Sequence, residues 1–223
     1  MVSFTADPHR HMKEHFARAT RMQDAVLAGN LGQAQVQARW LASHKEETPD
    51  SWLPYARTFQ SQAAAVADAK TVDQAAAAVG RMAATCGDCH AAHKAKVNIG
   101  STPVVGRTGS VKEHMTAQLE ALDRLWDGLM IPSDQAWGEG AKLLAKVAVS
   151  QRSLQKEGLD KADSATVLAE SLRTLSASAA KATAKGERST TYAELLTTCV
   201  ACHVSVRNPI KAASATAPNP GAQ

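Results

Sequence analysis

The sequence predicts an all-α protein built as two tandem four-helix bundles. Three observations lead there. The chain of 223 residues is rich in alanine and holds 44% hydrophobic residues but only 4% aromatics, a composition that suits close-packed helices better than strands. Apolar residues recur at helical spacing between Gly, Pro, Ser and Asn punctuation. And the chain repeats itself.

The repeat is faint and internally consistent. Met12-Lys13-Glu14-His15-Phe16 matches Val111-Lys112-Glu113-His114-Met115. Arg57-Thr58 with Ala63-Ala64 matches Arg173-Thr174 with Ala179-Ala180. Cys86-Gly87-Asp88-Cys89-His90 matches Cys199-Val200-Ala201-Cys202-His203. The offset changes from one match to the next, so the length differences fall in loops, the largest near residues 151–165.

Each half reads as four helices. In the first, one helix spans about Pro8 to Leu27 and stops at Gly29-Asn30; a second runs from Leu31 to His44. After the turn at Thr48-Pro49 a third covers about Trp52 to Ala69. Thr71 or its neighbour caps the fourth, which carries Cys86 through His90 and continues towards Lys96. In the second half the helices run from Ser110 to about Met130, from a Ser133 cap onward, from about Ser164 to Lys185 with Gly186 as the stop, and from Ser189 to Val206. Domain boundaries follow: residues 1–98, a linker at 99–109, a second unit at 110–207, and a Pro/Ala/Ser-rich tail at 208–223 expected to be disordered.

The net charge of +4 is shared evenly. Residues 1–99 hold 11 Lys+Arg against 9 Asp+Glu, leaving 14 against 12 for residues 100–223. No basic block marks a nucleic-acid partner, and no apolar run reaches the length of a membrane span.

All four cysteines lie in the two C-x-x-C-H motifs. This is the attachment signature of c-type haem: two thiols add to the haem vinyl groups and the following His ligates iron. On a helix Cys86 and His90 share a face, as do Cys199 and His203. A tetrahedral zinc site is the alternative for two Cys-x-x-Cys pairs, but these pairs are far apart in sequence and each is followed by His. A thioredoxin-like dithiol expects a βαβ setting, which the pattern lacks. The expected cofactors are two covalently bound haem c groups, with His90 and His203 as proximal iron ligands. Attachment of this kind takes place outside the cytoplasmic membrane. The start Met1-Val2-Ser3-Phe4 has no basic opening and no apolar core of a leader, so a periplasmic protein whose signal has been removed is expected.

A four-helix bundle with C-x-x-C-H on its last helix resembles the cytochrome c′ family and its low-spin relatives, here as two fused units covering nearly the whole chain. The resemblance implies a basic residue near the haem propionates four positions after the proximal His, a place held by Lys94 and Arg207. It also implies that the sixth ligand, where present, comes from the first helix. The family uses an apolar residue or a Met there; this sequence instead repeats His15 and His114. Bis-histidine pairs His90–His15 and His203–His114 are therefore expected. Met115 with His203, an open iron beside Phe16, and exchange of ligands between the halves remain alternatives. His9, His11, His44 and His93 have no counterpart in the repeat and read as surface residues. Trp40, Trp52, Trp126 and Trp137 read as core or haem-edge packing.

With both axial positions filled, iron can pass one electron but has no easy site for a small molecule. The expected function is a soluble periplasmic electron carrier with redox partner proteins and no catalytic residues, not an enzyme. The rival is a cytochrome c′-like protein with one or both irons open to NO or CO. A homodimer through the first helices is possible, or two halves that mimic one.

Overall fold

The structure is a computed structural model that describes residues 8–44, 49–97, 109–159 and 163–207. Among the described residues every regular element is helical: α1 (Pro8–Leu27), α2 (Leu31–Ser43), a 3₁₀ turn (Asp50–Trp52), α3 (Leu53–Ala67), α4 (Val72–Ala92), α5 (Val111–Met130), α6 (Asp134–Val147), α7 (Gln151–Lys156), α8 (Asp163–Lys181) and α9 (Lys185–Arg207). The expected leader site, nearly all of the linker and the tail lie outside the described residues.

The helix ends follow from local chemistry. Gly29 takes φ +69° just past α1, and the amides of Gly29 and Asn30 close back onto Val26 and Ala25. Asn30 then caps α2 by accepting from the Gln33 amide at 3.1 Å. Thr71, Ser133 and Ser150 cap α4, α6 and α7 in the same way. Ser110 and Glu113 form a reciprocal capping box on α5; its hydrogen bonds to the Ser110 and Gly109 amides hold the Glu113 carboxyl below its ordinary value.

Three boundaries differ from the sequence reading. Gly186 does not stop a helix; it lies in the first turn of α9, which begins at Lys185 rather than Ser189. The break comes earlier, where the Glu187 carboxylate accepts from the Thr183 and Ala184 amides, each at 3.3 Å. Helix α4 ends at Ala92 rather than near Lys96 because Lys94 turns to φ +50°. And the extra length near 151–165 contains a short helix of its own, α7.

In sequence order α1 packs on α2, α2 on α3 and α3 on α4; likewise α5 on α6, α6 on α8 and α8 on α9. The largest contact between the two series is α4 against α9. Small residues permit it: a Cβ on Gly80 would fall 2.6 Å from the Ser189 carbonyl oxygen. The end of α4 lies at the start of α9, where Asp88 pairs with Lys185, so the two helices run antiparallel. Counting from the Gly80–Ser189 crossing to the middle of each cysteine motif, the motifs are separated by roughly 30 Å along the helices.

A single apolar cluster runs through both series, from Met22, Val26 and Leu41 through Val79 and Met82 to Leu125, Trp126, Trp137, Leu144, Tyr192 and Leu196. A smaller one, Val149, Leu154, Ala165 and Ala169, lies at the far end of the second series and packs with Val111, Met115 and Val206.

Candidate functional site

Both cysteine motifs lie near the C-terminal end of a long helix, Cys86–His90 on α4 and Cys199–His203 on α9. The first cysteine of each faces the core: Cys86 and Cys199 pack against the main cluster. Burial, with the second cysteine of the motif adding to it, pushes each of these thiols up to about 12. Burial also raises Cys89 and Cys202. All four shifts run opposite to the lowered thiolate pKa that activates a redox dithiol. Among the described residues the cysteines do not gather with a third donor into a metal-sized group; one such group exists, and it is made of His11, His15 and His44.

The two motif histidines are held alike. His90 Nδ1 lies 2.8 Å from the carbonyl oxygen of Met130, and His203 Nδ1 lies 3.3 Å from that of Leu27. Met130 and Leu27 are the last residues of α5 and α1, so each imidazole meets a carbonyl that the end of its helix leaves unsatisfied. A carbonyl only accepts; Nδ1 must carry the proton and donate, leaving the lone pair on Nε2. A bond of this kind fixes the tautomer and orientation of a ligating His. Each bond also crosses the molecule: the histidine of the first series is held by the second, and the reverse.

His114 repeats the arrangement. It is 7% exposed and its Nδ1 donates to the carbonyl of Val147, the last residue of α6, at 2.9 Å. Gln118 donates to the same oxygen at 3.3 Å. The Nε2 lies 3.4 Å from Ser153 Oγ, contributed by α7. Met115 and Val111 at the start of α5 flank the small cluster with Val206 at the end of α9, which puts His114 and His203 at the same end of the second series.

His15 is different. It sits half-buried with His11, one turn before it on α1, and His44, which caps the end of α2. The ligand atoms of the three lie within 4.8 Å of one another. The His11 and His15 rings are 4.0 Å apart, His15 stacks on Phe59 of α3 at 5.5 Å, and His44 stacks on Trp40 at 3.9 Å. Trp40 also meets His15 edge-on at 5.5 Å and carries Arg18 3.9 Å from its ring centre. His11 and His44 are thus not isolated surface residues. The i, i+4 spacing of His11 and His15 was a signal in the sequence; nothing there pointed to His44, which arrives through the packing of α2. His93, too, is half-buried, between Trp52 and Tyr55 at 5.7 and 5.8 Å.

The remaining candidates are peripheral. Lys94 is exposed in the left-handed turn after α4; Arg207 is the last residue of α9 and its side chain lies outside those described. Phe16 is 42% exposed. Among the described residues no helix is long and apolar enough to cross a membrane.

No protein-family profile, curated protein or solved structure matches the chain in comparisons with known proteins.

Proposed function

We propose that the chain is a dihaem c-type cytochrome of two fused cytochrome c′-like four-helix units, α1–α4 and α5, α6, α8 and α9 with α7 inserted, and that it works as a periplasmic one-electron carrier. The observation that carries this reading is the matched pair of imidazoles: His90 and His203 each follow a Cys-x-x-Cys, and each commits Nδ1 to a helix-end carbonyl. That leaves Nε2 of both prepared for iron.

The donor set fits the group. Cys86, Cys89, Cys199 and Cys202 would hold two haems through thioethers, His90 and His203 would be the proximal ligands, and the first-helix histidines His15 and His114 would supply the sixth. Bound haem supplies reversible one-electron chemistry. The protein's part is orientation: the carbonyls of Met130 and Leu27 lock the proximal tautomers, and Val147 does the same for His114. Lys94 and Arg207, four places after each proximal His, are the propionate candidates. The separation of the motifs makes them two distinct electron sites rather than one paired centre. The broad α4–α9 contact favours two halves that imitate a dimer within one chain. Exchange of ligands between halves is disfavoured, because His203 meets the C-terminal end of α1 while His15 lies twelve residues earlier, about 18 Å along that helix.

The reading is tested by producing the chain in a periplasm competent for c-type maturation. Mass spectrometry is expected to show the polypeptide plus two haems, with a pyridine haemochrome at two per chain. A mass equal to the bare polypeptide overturns it. The rival reading, an open iron for NO or CO, is separated by the ferrous spectrum: low-spin bands unchanged by CO support electron transfer, and rapid CO uptake by both haems supports the rival.

A further inference from the structure

We propose that the two haems differ in how their sixth position is guarded: the first is served by a set of three interchangeable imidazoles, His11, His15 and His44, and the second by His114 alone. The proposal rests on the dihaem reading above and concerns the chain's own residues.

The first series brings the three imidazoles to the end of the molecule where its cysteine motif lies. Helices α1 to α4 alternate in direction. The early part of α1 (His11, His15), the end of α2 (His44), the early part of α3 (Phe59) and the end of α4 (His90) therefore share one end, as the contacts of His15 with His44 and Phe59 require. Among the described residues no carboxylate joins the three imidazoles within 4.8 Å. Three nitrogens within 4.8 Å are within a side-chain rotation of one another: an imidazole Nε2 stands several ångströms from its own Cα, and a change of χ1 moves it by about that distance. Any of the three can reach the place another has left.

The second series offers no such substitute. His114 is fixed on the Val147 carbonyl, and the position matching His11 is Ser110, the cap of α5. The residue following α6, which takes the place of His44 after α2, is Ala148. Within reach of His114 Nε2 stands a serine hydroxyl, Ser153, a poor ligand for haem iron. Met115 packs instead into the small apolar cluster.

The test uses the haem-loaded full chain and reads spin state and CO stoichiometry in the ferrous protein. Wild type is expected to be low-spin at both haems with negligible CO uptake. His114→Ala is expected to leave one haem high-spin and to bind one CO per chain. His15→Ala is expected to stay low-spin and bind less than a tenth of a CO per chain. The triple change His11→Ala/His15→Ala/His44→Ala is expected to take up one CO per chain, and added imidazole to return it to low spin. One CO per chain in His15→Ala overturns the proposal, as does a triple variant that remains low-spin. His15→Gln repeats the measurement if the alanine variant accumulates poorly. Haem content separates the two ideas: fewer than two haems in wild type sinks the cytochrome reading itself, whereas two haems with an open His15→Ala sinks only the shared guard.

Discussion

The two cysteine motifs dock on the opposite half of the molecule in the same way but with different fits. In the first, Gly87 lies directly beneath the Leu129 carbonyl, so close that a Cβ would collide with it, and His90 bonds the neighbouring Met130 carbonyl at 2.8 Å. In the second, the matching residue is Val200, whose Cγ1 lies 3.6 Å from where Gly29 would carry a Cβ, and His203 reaches Leu27 at 3.3 Å. The small residue has moved from the motif to the receiving turn. The two motifs share the contact and not the residues: what recurs is a histidine on a helix-end carbonyl, reached once with backbone against backbone and once through a side chain.

The harshest way to break this comparison is Gly87→Val, which gives the first motif the second motif's residue. The Leu129 carbonyl cannot retreat without moving the end of α5, so a loss of about 3 kcal/mol is expected and, on the proposed cytochrome reading, loss of the first haem before the second. Urea unfolding and haem stoichiometry check it; a stable variant with two haems would mean that the motifs are equivalent after all. The converse change is milder. Val200→Ala removes two carbons from a residue 7% exposed and is expected to cost about 1.5 kcal/mol, with no change in whatever haem content the proposed reading gives the wild type.

A gain is expected at Lys94. It holds φ +50°, a region that costs a side chain about 1 kcal/mol, so Lys94→Gly is expected to stabilise by about that amount. If the lysine serves a propionate, the same change shifts the midpoint potential of the first haem while leaving the second unmoved; unchanged potentials at both would restrict Lys94 to the turn.

The smallest effect tests where the halves agree. Asp24 and Asp123 occupy matching places by the same offset as His15 and His114. Burial raises both carboxyls above their ordinary value, and Asp24 adds to the rise of Asp123 while Gln23, donating at 3.3 Å, opposes it. The folded state then holds these protons more tightly than the unfolded chain. Their contribution is fullest below the ordinary carboxyl range and is lost as pH rises through the raised values. Asp123→Asn is therefore expected to raise the melting temperature at pH 7 and to make no improvement at pH 3. Glu113 behaves oppositely: its lowered carboxyl supports the α5 cap above the ordinary range, and that support disappears as pH falls through the lowered value. Equal effects of Asp123→Asn at both pH values would show that charge is not the cause.

Much of this was legible in the sequence because it is local. The ends of α1, the caps Ser110 and Ser133, and the placement of both motifs late in their helices depend on residues within a turn of one another. The α9 boundary was missed because a glycine outweighed Glu187, whose carboxylate reaches back to satisfy the amides before it. The repeat singled out His15 and His114 but could not show that one sits on a carbonyl and the other in a group of three. His44 lies 29 residues from His15 and joins it only through α1–α2 packing. Least legible were the bonds from His90 to Met130 and from His203 to Leu27, since each depends on the docking of one half upon the other.

Those crossed bonds have a consequence for how such a chain can be divided. A histidine whose orientation is set by a neighbour's helix end is not a possession of its own sequence segment. Cut at the linker, neither piece would retain the carbonyl that steadies its motif histidine, so the two halves orient those imidazoles only together.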